Sequence, residues 1–144
     1  MATDIEKMLR LVTGRSHVGT LEAPDAESVL RDESGREYLR LEISVRRDII
    51  REARYTCDSD VSVGLAAAMA SAAGLAENRA IMSASLIGSA DIERELSDGG
   101  PLDEADKPSA AMAALMLHEC LRNYSMRYNQ LREERLKRRD AEQK

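Results

Sequence analysis

The sequence predicts an α+β domain, a small antiparallel sheet of two or three strands packed on one face by helices, with a long C-terminal helix. Three observations predict it. The stretch "EYLRLEISV" alternates, placing Leu39, Leu41, Ile43 and Val45 on one side and Tyr38, Arg40, Glu42 and Ser44 on the other, the pattern of a half-buried strand. After the tight connection "RRD", the stretch "IIREARYTC" carries Ile49, Ala53, Tyr55 and Cys57 on one face, so the two form a β-hairpin with one face on a core. Everything beyond the hairpin has helical spacing or loop composition.

Taken in order, residues 3–12 place Ile5, Met8, Leu9 and Val12 on one face of a short amphipathic helix with Asp4 near its start. "TGRSHVGTLEAPDAES" is rich in Gly, Ser, Thr and Pro and reads as an extended loop. "VLR" at 29–31 can add a third strand to the hairpin. Asp58, Ser59 or Asp60 can cap the next helix, predicted from about residue 61 to 76, because their oxygens accept the free N–H groups of a first turn. That helix consists largely of Ala, with Gly64 and Ser71 among them, so other backbone can approach it closely. A short helix through Ile81 and Leu86 follows, then "SADIERELS", capped by Ser89. "DGGPLDEADKP" is a loop by its Gly, Pro and acidic content. The last helix starts near Ser109 with Met112, Leu115, Met116, Leu117 and Leu121 as its apolar face. The domain is expected to span residues 1–124, and 125–144, with seven basic and four acidic residues in the final 18, reads as a charged helical extension or frayed tail.

Composition bounds the function classes. With four Tyr and neither Phe nor Trp, the core is filled by Ala, Leu, Met and Ile, which favours helices in close contact. A net charge of −5 argues against nucleic acid as the main partner. No apolar stretch approaches the ~20 residues needed to span a bilayer, and the charged start "MATDIEKMLRLV" does not read as a signal peptide. Two cysteines far apart suggest no disulfide scaffold, so a cytoplasmic protein with reduced thiols is expected. No Ser-His-Asp arrangement, P-loop or dinucleotide fingerprint is present, and the chain does not read as an enzyme.

The order of elements, together with several local stretches, resembles the iron–sulfur cluster scaffold family of IscU and the NifU N-terminal domain. "GRSHVGTLEAPDA" at 14–26 is similar to the family's stretch after its first helix, "IIREARYTC" to its V-I-x-D-A-R-F strand, and "SVGLAAAMAS" to its Ser/Ala-rich helix. "SADIERELS" is close to its T-D-I-x-x-E-L, and "CLRNY" falls where it has AL-x-x-Y. The resemblance covers about residues 5–124 and implies a scaffold that holds an iron–sulfur cluster with three cysteines, an Asp and a His. In this chain the first cysteine position falls on Ser34 or Gly35, the Asp on Glu37, the second cysteine on Asp60, the third near Ser109 and the His on Pro108. The family's Leu-Pro-Pro-Val-Lys stretch is replaced by "GGPLDEADKP".

Candidate metal positions are therefore Glu37, Asp60, Cys57 and Ser109, with iron, an iron–sulfur cluster or zinc as the group they would take. Carboxylates favour hard cations, whereas clusters favour thiolates. Cys57 lies three residues before Asp60, whereas Cys120 lies roughly 16 Å along the last helix from Ser109. The plainer alternatives are that Cys57 and Cys120 are small buried residues, Asp58 and Asp60 caps, and Glu37 a solvated strand residue. "HEC" at 118–120 does not chelate one ion, because adjacent helical residues point apart. Two function classes follow: a scaffold that holds iron or a cluster while bound to a cysteine desulfurase or a client protein, or a metal-free interaction module of the same fold.

Overall fold

The computed structural model describes residues 4–14, 17–99 and 101–142. Three antiparallel strands, β1 (Ala26–Arg31), β2 (Glu37–Arg46) and β3 (Ile49–Cys57), form one sheet in that order. The expected third strand is present and begins three residues earlier than Val29. The hairpin turns on Arg47 and Asp48, with φ of 54° and 63°. Two positive φ values give the turn the twist that matches the strands it joins.

The ladder corrects the predicted face of β3. Ser44 pairs with Glu52 but Val45 pairs with Ile50, leaving Arg51 as an extra residue. This bulge shifts the alternation by one, so Ile50, Ala53 and Tyr55 are buried while Ile49 is only partly so. Val45, beside the bulge, is likewise half-buried, whereas Leu39, Leu41 and Ile43 are buried as the alternation predicts.

Five helices follow the chain order around this sheet: α1 (Ile5–Gly14), α2 (Val63–Ala76), α3 (Ile81–Ala84), α4 (Ser89–Leu96) and α5 (Lys107–Glu142). α5 packs on β1 and β2, α2 packs on β3, and α1 and α4 lie against α2 and α5 on the side away from the sheet. α2 is thus buried on nearly every side. Ala67, Ala68, Met69, Ala72, Ala73 and Ala76 are fully enclosed, as a helix apolar all round must be. The predicted start of α1 at Thr3, and Arg15 and Ser16 of the loop after it, lie outside the described residues. No helix of the described residues is long and apolar enough to cross a membrane.

Helix ends differ from expectation in detail. Ser62, not an Asp or Ser59, caps α2, its Oγ accepting from Leu65 N at 3.2 Å. Asp58 instead folds the preceding loop, accepting from Asp60 N at 3.0 Å. Gly88 rather than Ser89 precedes α4, and the Asp91 carboxylate accepts the Gly88 N–H at 2.9 Å. On α5 the buried face is Ala110, Ala113, Ala114, Met116, Leu117, Cys120 and Leu121, whereas Leu115 is 53% exposed. Leu115 sits between Ala114 and Met116, on the outward side of the turn. α5 is continuous through residue 142.

Other segments bond to both outer strands of the sheet. On β3, Tyr55 N donates to His17 O and Gly19 N donates to Tyr55 O, so residues 17–19 run beside it. Further along, Glu77 Oε1 accepts from Ala53 N at 3.0 Å and from Arg54 Nη1 at 2.8 Å, while its Oε2 lies 3.0 Å from His17 Nε2. Asn78 and Arg79 complete the edge through Ile50. On β1, Asn123 donates to Glu27 O, Arg127 donates to Pro24 O and Asp25 O, and Ser28 Oγ donates to Met116 O. The β3 edge, so occupied, offers no row of free backbone groups to a second chain, whereas on β1 these bonds engage the Glu27 carbonyl alone of the strand's backbone.

Ala72→Leu inserts three carbons where nothing is exposed and is expected to cost about 1–3 kcal/mol in chemical denaturation. Burial opposes ionisation of Glu77, but the Ala53 N–H, His17 and Arg54 outweigh it and hold the carboxyl below its ordinary value of 4.5. The stability this supplies is complete above that value and is lost as pH falls through the lower folded-state value. Glu77→Gln should lower stability at pH 7 by about 2 kcal/mol and flatten the acid limb of a stability–pH curve.

Candidate functional site

The residues singled out by sequence gather at one end of the hairpin, where β2 begins, β3 ends and α2 and α5 start. The β1–β2 turn is built on Asp32, whose Oδ1 accepts from Ser34 N, Ser34 Oγ and Arg36 N at 2.9, 2.6 and 3.0 Å. Gly35 supplies the positive φ of 88° that closes it. Ser34 and Gly35 are therefore turn-forming residues in this chain.

Continued past the Leu39–Cys57 pair, the β2–β3 ladder brings Arg36 opposite Asp60. The Arg36 Nη2 lies 2.6 Å from Asp58 Oδ2 and 3.4 Å from Asp60 Oδ2, and its Nε is 3.7 Å from Asp32 Oδ2. One guanidinium thus joins three carboxylates. Asp58 is the best enclosed, its side chain 9% exposed against 78% for Asp60.

Glu37 is held by a second arginine. Arg40 Nε donates to Glu37 Oε2 at 3.1 Å and its Nη2 to Oε1, while Arg31 lies 3.8 Å from Oε1. The hydrogen bond from Arg40 keeps the Glu37 carboxyl below its ordinary value. Arg40 also bonds Glu27 and approaches Glu42, which receives Leu21 N at 2.7 Å.

Cys57 closes β3 opposite Leu39 and is half-buried. Burial pushes its thiol up to about 11, so at neutral pH it is the protonated, poorly coordinating form. Ser109 lies in the first turn of α5, its N–H donating to Asp106 O at 3.1 Å. A Cβ on Gly64 would stand 3.1 Å from Asp106 Oδ1 and 3.8 Å from Ser109 Oγ. The glycine is what lets the first turns of α2 and α5 meet. The structure thus places Asp60 in a network around Arg36 and Glu37 in a separate one around Arg40, and places Ser109 beside α2. Among the described residues, no three His, Cys, Asp or Glu side chains are grouped so as to hold a metal ion. Cys120 is fully buried, its thiol raised to about 12 by burial and then by Glu27 and Glu42, while His118 Nε2 meets Ile87 O at 2.6 Å. "HEC" accordingly points in separate directions.

The sequence reading missed Arg36 and Arg40. The signal was present: alternation along β2 places Arg40 and Glu42 on the polar face, and the hairpin register pairs Arg36 with Asp60 once the bulge is known.

A family model described as the NifU-like N terminal domain matches residues 4–131. The chain belongs to this family. The fold is likewise that of solved relatives. A nitrogen-fixing NifU-like protein (N-terminal) from Brucella abortus superposes with a TM-score of 0.59 at 14% identity, over 84% of this chain and 93% of that one. A protein named as an iron–sulfur cluster assembly scaffold for the SUF system, from the thermophilic Fervidobacterium islandicum AW-1, gives 0.55 at 14% identity, over 81% and 92%. No curated protein matches the chain. In this NifU-like domain burial holds both thiols in the protonated form at neutral pH. Alkylation by iodoacetamide at neutral pH should be slow at Cys57, slower at Cys120, and rapid at both only after unfolding, as read by mass spectrometry of intact protein.

Proposed function

We propose that this NifU-like domain acts in iron–sulfur cluster assembly as a partner-binding member of the scaffold family whose thiolate ligand set has been replaced. The observation that carries the reading is Arg36, joined to Asp58 and Asp60 at the position where the resemblance puts a cysteine. A fixed guanidinium supplies there the positive charge that a metal ion would otherwise bring to the surrounding carboxylates. The other candidate positions, Glu37, Ser109 and Cys57, offer a carboxylate, a hydroxyl and a protonated thiol, a donor set that does not fit an iron–sulfur cluster, which calls for thiolates. Its activity is then binding, and the partners that the family suggests are a cysteine desulfurase or an iron–sulfur client protein, in a cytoplasm that keeps both thiols reduced.

Anaerobic reconstitution with iron and sulfide, read by visible absorption and metal analysis, tests it. The expected result is a folded, colourless protein without stoichiometric iron or zinc. A chromophore lost in Cys57→Ser or Asp60→Ala would overturn the reading in favour of a working scaffold with Cys57, Asp60, Glu37 and Ser109 as altered ligands.

A further inference from the structure

The two outer strands of the sheet differ in what they leave open. On β3, Ala53 and Tyr55 send their N–H groups outward, to Glu77 Oε1 and His17 O, so Arg54 and Thr56 bond to their β2 partners, Glu42 and Arg40. Strand residues turn alternately to one neighbour and the other. Leu39, Leu41 and Ile43 therefore bond to Leu30, Ser28 and Ala26, and Glu27, Val29 and Arg31 turn their backbone groups away from the sheet. The register shift at Arg31 lies in β2, where Tyr38 is the extra residue, so the alternation of β1 runs unbroken. Asn123 Nδ2, 2.8 Å from Glu27 O, marks the outward side. Among the described residues no other group bonds to this row, and a hollow of about 500 Å³ runs along it between β1 and Arg127 of α5. An open row of this kind accepts a further strand.

The side chains of β1 say which strand fits. Glu27, Val29 and Arg31 share its outer face. An antiparallel copy of β1 centred on Val29 sets Val29 against Val29, and each Glu27 against Arg31 of the second copy. A parallel copy would instead set Glu27 beside Glu27 and Arg31 beside Arg31, which is unfavourable. The Glu27 and Arg31 side chains are 47% and 57% exposed. Glu27 uses Oε2 toward Arg40, and Arg31 uses Nη1 toward Gly35 O. Glu27 Oε1 and Arg31 Nη2 remain for the cross pair, the latter 3.8 Å from Glu37. In this register Val29 exchanges both backbone bonds with its copy, and each Glu27 N–H meets an Arg31 carbonyl, without displacing Asn123.

The helix layer supplies the apolar part. Met112, Leu115, Glu119, Asn123 and Met126 form one stripe of α5 by their spacing of three and four, and the bond from Asn123 to Glu27 turns that stripe toward the β1 edge. Leu115 and Met126 on it are each 53% exposed. A two-fold axis through Val29, perpendicular to the sheet, keeps both helix layers on one side and brings the two stripes face to face. We propose that two copies of this chain associate through β1, forming one sheet continuous across both, with α5 of each copy against α5 of the other.

The test is sedimentation equilibrium of the full chain from micromolar to millimolar concentration, beside Glu27→Arg and Arg31→Glu, both exposed changes that leave the core intact. The unaltered chain is expected to dimerise reversibly. Each variant alone sets like charges at both cross pairs and should weaken the dimer about tenfold. An equimolar mixture of the two variants sets Glu against Arg at both pairs again and should recover the association. A disturbance within either chain would persist in the mixture, so recovery reads the contact between copies. The proposal is overturned by an unaltered chain that stays monomeric, which leaves the edge to another occupant. It is equally overturned by a dimer that neither variant weakens, or by a mixture that associates no better than its components.

Discussion

Helix α2 has to touch the sheet, α1, α4 and α5 at once, and this requirement sets the rest of the architecture. A helix of Leu or Phe would hold those neighbours apart. Ala, Gly or Ser at ten of its 14 positions lets four elements converge on one backbone cylinder, and Gly64 extends the same closeness to the first turn of α5. The large apolar side chains then come from the partners: Leu39, Leu41, Ile43 and Ile50 from the sheet, Ile92 and Leu96 from α4, Leu117 and Leu121 from α5. The absence of Phe and Trp is the compositional face of this arrangement. Contacts between small residues depend on many close approaches, each weak alone, so the core tolerates added volume poorly.

Much of this was legible. Alternation in β2 marks the sheet by periodicity, and the run of small residues in α2 marks the central helix by composition. The misreadings fall where periodicity is interrupted. Ile49 and Ile50 are equally apolar, and only the bulge at Arg51 decides which is buried. Ser62 competes with three neighbouring polar residues for the cap of α2, and the contest is settled by loop geometry that Asp58 imposes. Leu115 lies off the i, i+3, i+4 stripe of Ala110, Ala113, Ala114, Leu117 and Leu121 that is buried.

At the candidate site the sequence identified the positions and not their relationship. Glu37, Cys57, Asp60 and Ser109 do lie at one end of the fold, but the two carboxylates are paired with arginines, Glu37 with Arg40 of β2 and Asp60 with Arg36 of the turn before it. Sequence inspection searched for donors to a metal and overlooked cations already in the chain. Ion pairs this exposed contribute little to stability, about 0–1 kcal/mol each. Their importance is to the local potential: three carboxylates that would otherwise repel one another are held together around Arg36.

The length of α5 has a hydrodynamic consequence. Its 36 residues span roughly 54 Å. Its last bond to the body of the protein among those described is made by Arg127, which leaves roughly 22 Å of helix beyond. Such a projection makes end-over-end rotation slower than spin about the helix axis. The molecule therefore presents its candidate site and its projecting rod to solution with different rotational friction, and a partner seated on the compact end leaves the rod free to sweep a volume of its own.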